Sequence, residues 1–333
     1  VVEKMHRTIQ TVHPPFGASP DESTQGLTGF VYSSIRRATR LVGQGLDTGL
    51  APFSMLLPEQ ESSANRDAVV SAINGVYGDH LLKTANPLAI EMTISHAGQK
   101  LDLSRSKAMS RQLSGKILLF VHGLCLNEGH WTREGRNRGK ALATRLGYTP
   151  LYLRYNTGLH IADNGGALSE MLESLLSEWP HPVTELVIVG HSMGGLVARS
   201  ACHHAGEAGD DWLQYLRKMV SIGTPHHGAP LERGGNWLEY AMELSPYVSP
   251  LARIGKKRSA GITDLRHGSI NGEKQDFIML PVDVECYTMA STLARKRGQI
   301  SEKIVGDGLV PVDSALGKSQ DPGRTLLFPR SHQ

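Results

Sequence analysis

Past residue 115 the chain alternates between two hydrophobic rhythms. Short unbroken apolar runs alternate with longer stretches whose apolar residues recur every three or four positions. Ile117-Leu118-Leu119-Phe120-Val121 is such a run, and a strand buried on both faces reads this way. Leu151-Tyr152-Leu153, Leu186-Val187-Ile188-Val189, Met219-Val220-Ser221-Ile222 and Val284 to Met289 are further strands. Helices are predicted between them, near 137–147, over 165–179 and over 194–205. The second is the clearest, with Leu168, Met171, Leu172, Leu175, Leu176 and Trp179 on one face. Strands alternating with helices predict an α/β protein. Its sheet is mainly parallel, with helices on both faces.

Ahead of this region the pattern differs. Ala89 to Ile94 alternates, Gly98 intervenes, and Leu101-Asp102-Leu103 follows, which predicts an antiparallel hairpin at a sheet edge. Helices are predicted over 28–47, on Val31, Ile35, Ala38, Val42 and Leu46, and from Asn65 to Tyr77. Residues 1–25, with Pro14, Pro15 and Pro20, read as a frayed helix and a loop. The expected division is an N-terminal helical extension over 1–85 and an α/β domain over 86–333. An apolar stretch with Trp237 and Met242 interrupts the alternation over about 230–275 and predicts a helical insertion.

Composition narrows the field. Forty per cent hydrophobic and 20% charged residues over 333 positions describe a globular chain able to bury its own core. A net charge of +3, scattered, gives no footprint for nucleic acid. Cys125, Cys202 and Cys286 lack metal-ligand spacing and read as buried thiols, with a Cys202–Cys286 bridge left open. No apolar run is long enough to span a bilayer. No signal peptide is visible, which favours the cytoplasm, although a segment lost before Val1 stays open.

The candidate chemistry centres on Gly190-His191-Ser192-Met193-Gly194-Gly195. The bare G-x-S-x-G spacing also suits a glycine-rich turn with a capping serine. Here an apolar strand precedes it and the helical run Leu196-Val197-Ala198 follows, the setting of a nucleophile elbow. A serine on so tight a turn needs neighbours without side chains, which Gly190 and Gly194 provide. His191 points away and packs. The strand ending Val121-His122-Gly123-Leu124 leads to a second loop, so the backbone N–H groups of Leu124 and Met193 are the expected oxyanion donors. His122, Gly123, Trp237 and Met242 are candidates for contact with substrate.

The acid and the base follow the serine along the chain. Asp307, in Val305-Gly306-Asp307-Gly308-Leu309, is the first choice of acid; Asp264 is second, and Asp313 reads as a helix cap. Of the histidines, only His332 lies beyond Asp307. It follows the apolar run Leu326-Leu327-Phe328, a last strand, but it is the penultimate residue, where a side chain is poorly held. Two alternatives stand beside it: a base beyond the given sequence, or His267 in the insertion.

Five stretches together resemble one family: FVHGLCLNEGHW (120–131), YLRYNTGLHIADNG (152–165), VIVGHSMGGLVARS (187–200), IGTPHHGAPLERGGNW (222–237) and VGDGLVPVDSALG (305–317). They are similar to bacterial lipases and carboxylesterases of the α/β-hydrolase superfamily, in the inositol-deacylase-like (PGAP1-like) group. The resemblance implies an α/β-hydrolase fold with a lid, a nucleophile at Ser192 and an acid at Asp307. It also implies a histidine further along, which His332 meets only in part. Thr224, His226 and His227 would sit near the top of the sheet, without carboxylate or cysteine at zinc-ligand spacing.

The expected activity is hydrolysis of small-molecule or lipid esters through an acyl-enzyme, without a cofactor or metal. The lid is a candidate for transient contact with a lipid surface. A non-catalytic or truncated member that binds lipid or protein is the competing expectation. Thioesterase, amidase and acyltransferase chemistry would use the same residues.

Overall fold

A computed structural model of the chain describes residues 64–102, 113–133, 135–228, 259–271, 278–281, 283–290, 310 and 312–318. The expected helix over 28–47, the last strand near Leu326 and most of the lid insertion lie outside them.

Seven strands form one sheet in the order β2-β1-β6-β3-β7-β8-β9. These are β1 (Thr93–His96), β2 (Gln99–Lys100), β3 (Lys116–Val121), β6 (Thr149–Arg154), β7 (Glu185–His191), β8 (Leu216–Ile222) and β9 (Glu285–Met289). The run from β6 to β9 is parallel, while β1 pairs antiparallel with both β2 and β6. A separate two-residue hairpin joins β4 (Thr132–Arg133) to β5 (Arg136–Asn137). The helices are α1 (Ala64–Lys83), α2 (Arg138–Leu146), α3 (Ile161–Ser177), α4 (Met193–Ala208), α5 (Ala260–His267) and α6 (Val312–Ala315). No helix among the described residues is long and apolar enough to cross a membrane.

The unbroken apolar runs become parallel strands because both of their faces are covered. Ile117, Leu119 and Val121 of β3 join the large core with residues of α1, α3, α4 and α5. Leu118 and Phe120 face the other way, into a smaller cluster with Tyr152, Val187, Val189 and Ala143 of α2. Local chemistry sets the helix ends. Asn137 caps α2 by accepting from the Lys140 N–H at 2.7 Å, and Gly147 stops it at φ 76°. Gly209, at φ 75°, stops α4.

α1 runs six residues beyond its expected end at Tyr77 and shares the main core through Val69, Ile73, Val76, Tyr77 and Leu81. Its Asn74 is fully buried and satisfied: Nδ2 donates to the carbonyls of Val70 and Leu88, and Oδ1 accepts from the Ile90 N–H. That bond set ties the helix to the segment entering β1.

α3 starts at Ile161, four residues earlier than its periodicity suggests. Gly165 stands inside the helix, where a Cβ would overlap Ser200 of α4. The cap comes from far along the chain. Asp264 Oδ2 accepts from the Ile161 N–H at 2.9 Å and from His160 Nδ1 at 3.0 Å. Trp179 falls beyond the helix, where its ring N–H donates to the Ser114 carbonyl at 3.1 Å.

Candidate active site

The site is built where β3 and β7 end side by side at the centre of the sheet. β7 carries the chain to His191, and α4 begins at Met193. Ser192 occupies the single position between them, at φ 52° and ψ −122°. Side chains other than glycine rarely hold such a conformation without strain. The main chain holds this one: the Ser192 N–H donates to the Ile222 carbonyl at 2.8 Å, and its carbonyl accepts from the Gly195 N–H at 3.1 Å.

The glycines around it serve different purposes. A Cβ on Gly190 would lie 2.6 Å from the Gly195 Cα, within the elbow itself. A Cβ on Gly194 would overlap the Val121 carbonyl oxygen and lie 2.6 Å from that of His122, at the end of β3. Gly195 makes room for the Thr224 side chain, which follows β8. The Met193 N–H opens the 16-residue helix α4, whose N-terminus carries partial positive charge.

The loop after β3 lies against the serine. Gly123 does not have positive φ; its role is close approach, since a Cβ there would lie 3.0 Å from Ser192 Cβ and 3.2 Å from His191 Nδ1. The positive φ falls instead on Cys125, at 60°. The Leu126 N–H closes the turn onto the Gly123 carbonyl at 3.2 Å, and the Cys125 N–H donates to Thr157 Oγ1 at 3.1 Å. Neither the Leu124 nor the Met193 N–H donates to an acceptor among the described residues.

Three histidine rings frame this loop. His122 is fully buried, stacks on Tyr155 at 4.6 Å, and donates from Nδ1 to the Gly123 carbonyl at 3.0 Å. The Tyr155 hydroxyl donates to the His122 carbonyl at 2.7 Å. The His191 ring stacks on His130 at 4.5 Å. Burial pushes His122 and His191 each down to about 3, so both are neutral at pH 7.

Asp307, His332, Trp237 and Met242 lie outside the described residues. Residues 312–318 are tied to the segments that follow β8 and to β9. Ser314 accepts from the His227 N–H through Oγ at 3.2 Å and from the His226 N–H through its carbonyl at 3.2 Å. Its hydroxyl donates to the Gly228 carbonyl at 2.8 Å, and Thr288 of β9 donates to the Ala315 carbonyl. Asp313 lies in the first turn of α6. Asp264, the second-choice acid, has its Oδ2 engaged in capping α3, and His267 donates from Nδ1 to its own helix at Thr263.

Several residues at the site carried no role in the sequence reading. Tyr155 and Thr157 fall in the stretch YLRYNTGLHIADNG, and His130 lies in the stretch that ends GHW. Arg199 is buried in α4, where it donates to the Ile278 carbonyl at 2.5 Å and to His226 Nδ1 at 3.3 Å. Burial pushes its guanidinium down to about 10. The three cysteines are free and buried.

A mainly parallel sheet in this order, with a serine at positive φ between a central strand and its helix, defines an α/β-hydrolase. The family described as PGAP1-like alpha/beta domain matches residues 112–297, more than half of the chain, and the chain belongs to that family. No curated protein matches it. Among solved structures it is similar to a Bacillus licheniformis lipase in its mature form, at 22% identity and a TM-score of 0.42, over 64% of this chain and 82% of that one. An ester-hydrolase from the metagenome of Lake Arreo matches at 15% identity and a TM-score of 0.37, over 75% and 78%. A lipase-esterase related protein of Clostridium acetobutylicum matches at 16% identity and a TM-score of 0.29, over 50% and 70%.

Proposed function

We propose that the protein is a serine hydrolase of carboxylic esters, with Ser192 as nucleophile. The observation that carries this reading is Ser192 itself, at φ 52° with the Gly123 loop packed against its Cβ. A strained serine beside a helix N-terminus and a loop that both carry N–H groups suits acyl transfer. Lipases and esterases among the similar structures accord with it.

The reaction runs in two halves. Ser192 Oγ attacks the acyl carbon while a histidine takes its proton; His332 is the candidate, oriented by Asp307. The carbonyl π pair becomes an oxyanion between the Leu124 and Met193 N–H groups. As the ester C–O bond breaks, the histidine returns the proton to the departing alcohol. Water then repeats the sequence on the acyl-serine and releases the acid. The apolar insertion with Trp237 and Met242 suits hydrophobic acyl chains.

The test is a fluorophosphonate probe read by intact mass, beside a chain-length series of p-nitrophenyl esters with matched thioesters and amides. One added phosphonyl group on folded protein, lost in Ser192→Ala, is expected. Folded protein that stays unlabelled would instead favour the non-catalytic binding reading.

A further inference from the structure

We propose that α1, which precedes the family-matched residues, is a positioning element for the oxyanion loop, acting through Asp67, Ser71 and Gly75. The inference rests on reading the Leu124 and Met193 N–H groups as the oxyanion donors.

Asp67, Ser71 and Gly75 are spaced four apart and form one stripe along α1. Each meets a successive part of the loop. Gly75 meets Cys125: a Cβ on the glycine would overlap the sulfur and lie 3.1 Å from both the Cα and the N of Cys125. The Cys125 thiol faces the Ala72 carbonyl at 4.0 Å. Ser71 Oγ accepts from Asn127 Nδ2 at 3.3 Å. Asp67 reaches Glu128 through Arg154, at the end of β6. Arg154 donates to Glu128 from Nε at 2.8 Å and from Nη2 at 2.6 Å, and to Asp67 from Nη1 at 3.4 Å and Nη2 at 3.1 Å.

The loop needs such a support. Cys125 holds a backbone conformation that persists only where its surroundings impose it. On the opposite side the loop meets the elbow, with Gly123 against Ser192 and His130 stacked on His191. It is therefore gripped between α1 and the nucleophile. The grip sets the spacing of the Leu124 N–H from the Met193 N–H. Oxyanion donors act only within a few tenths of an ångström of their place.

Gly75→Ala is the sharpest probe. Alanine is the better helix former, so α1 is not weakened while the new Cβ presses on Cys125. The expected result is a kcat for p-nitrophenyl butyrate lower by roughly 10²-fold, with KM within about twofold. The Ki of hexyl trifluoromethyl ketone should rise with it. That ketone takes Ser192 Oγ at its carbonyl carbon, the serine proton passes to the base, and the carbonyl oxygen becomes an alkoxide between the donors. A merely structural role would not couple this Ki to kcat. Adding Cys125→Ala removes the sulfur and should restore most of kcat. If Gly75→Ala does not fold, Ser71→Ala combined with Asp67→Asn should lower kcat about tenfold, matching one or two lost hydrogen bonds. With an active wild type, unchanged kcat and Ki in the folded variant overturn the brace alone. A wild type that neither labels nor turns over ester overturns the site reading and the brace with it.

Discussion

The elbow and the loop after β3, the proposed oxyanion loop, each carry a residue other than glycine at positive φ, Ser192 at 52° and Cys125 at 60°. They are held in different ways. The elbow is locked by main chain on main chain, through the bonds to Ile222 and Gly195 and through glycines that let backbones meet. The loop is held by side chains from elsewhere: Thr157 after β6, Arg154 in β6, and the stripe on α1. The elbow is thus held mainly by backbone, its own and that of β3 and β8, while the loop is held by side chains.

The largest effect expected from breaking this pair is on chemistry. Ser192→Ala should lower kcat by roughly 10⁴-fold or more, in a protein that unfolds at the wild-type urea midpoint. A residual rate within tenfold of wild type would place the nucleophile elsewhere. Next comes the junction of the two regions. Gly194→Ala would drive a Cβ into the carbonyl oxygens of Val121 and His122. Main chain cannot rotate aside, so a loss of about 3 kcal/mol in urea unfolding is expected. A cost below about 1 kcal/mol would show that β3 and α4 can part.

Acid should weaken both regions together. Unfolded, His122 and His191 take up a proton near pH 6.5; folded, burial holds their pKa values near 3. The unfolded state therefore binds more protons below pH 6.5, and stability falls as the pH drops from 6.5 toward 3. By pH 5.5 the loss should be about 1 kcal/mol for the fully buried His122, and less for His191, which is partly exposed. Urea midpoints at pH 7.5 and 5.5 measure it; a His122→Phe variant with an undiminished slope would remove that ring from the account.

The smallest effect separates the regions most cleanly. Ser192→Gly should raise stability by about 1 kcal/mol, because glycine accepts the elbow conformation without strain. Cys125→Gly relieves the same kind of strain but removes a thiol that is 1% exposed and packed on α1. The two terms should nearly cancel, leaving a change within about 0.5 kcal/mol. A Cys125→Gly gain equal to that of Ser192→Gly would mean that the thiol packing contributes nothing.

The same contrast explains what could be read from the sequence. The glycine spacing around Ser192 is a local record of backbone contacts, so the elbow is legible in six residues. The parallel strands are legible too, because burial on both faces forces unbroken apolar runs. The start of α3 is not. It depends on Asp264, about a hundred residues away, and on a glycine whose purpose is contact with Ser200. In the loop after β3, Gly123 leaves space beside the serine while the strained turn falls on Cys125, a division that no local spacing marks. Nothing local marks Gly75, Ser71 and Asp67 as partners of a loop fifty residues on, since a helix stripe with one glycine reads as ordinary packing. Asp307 and His332 rest on chain order and on the family resemblance, and both lie outside the described residues.

The hairpin at the far side of the sheet bears on how the molecules behave in company. β2 is two residues long, with Gln99 and Lys100 both exposed, and among the described residues it closes that edge. A long bare strand would present a row of N–H and C=O groups to the next copy and invite fibre growth. Two residues ending on a positive charge present almost no such template. Among the described residues, strand-by-strand addition therefore finds little to build on at that edge.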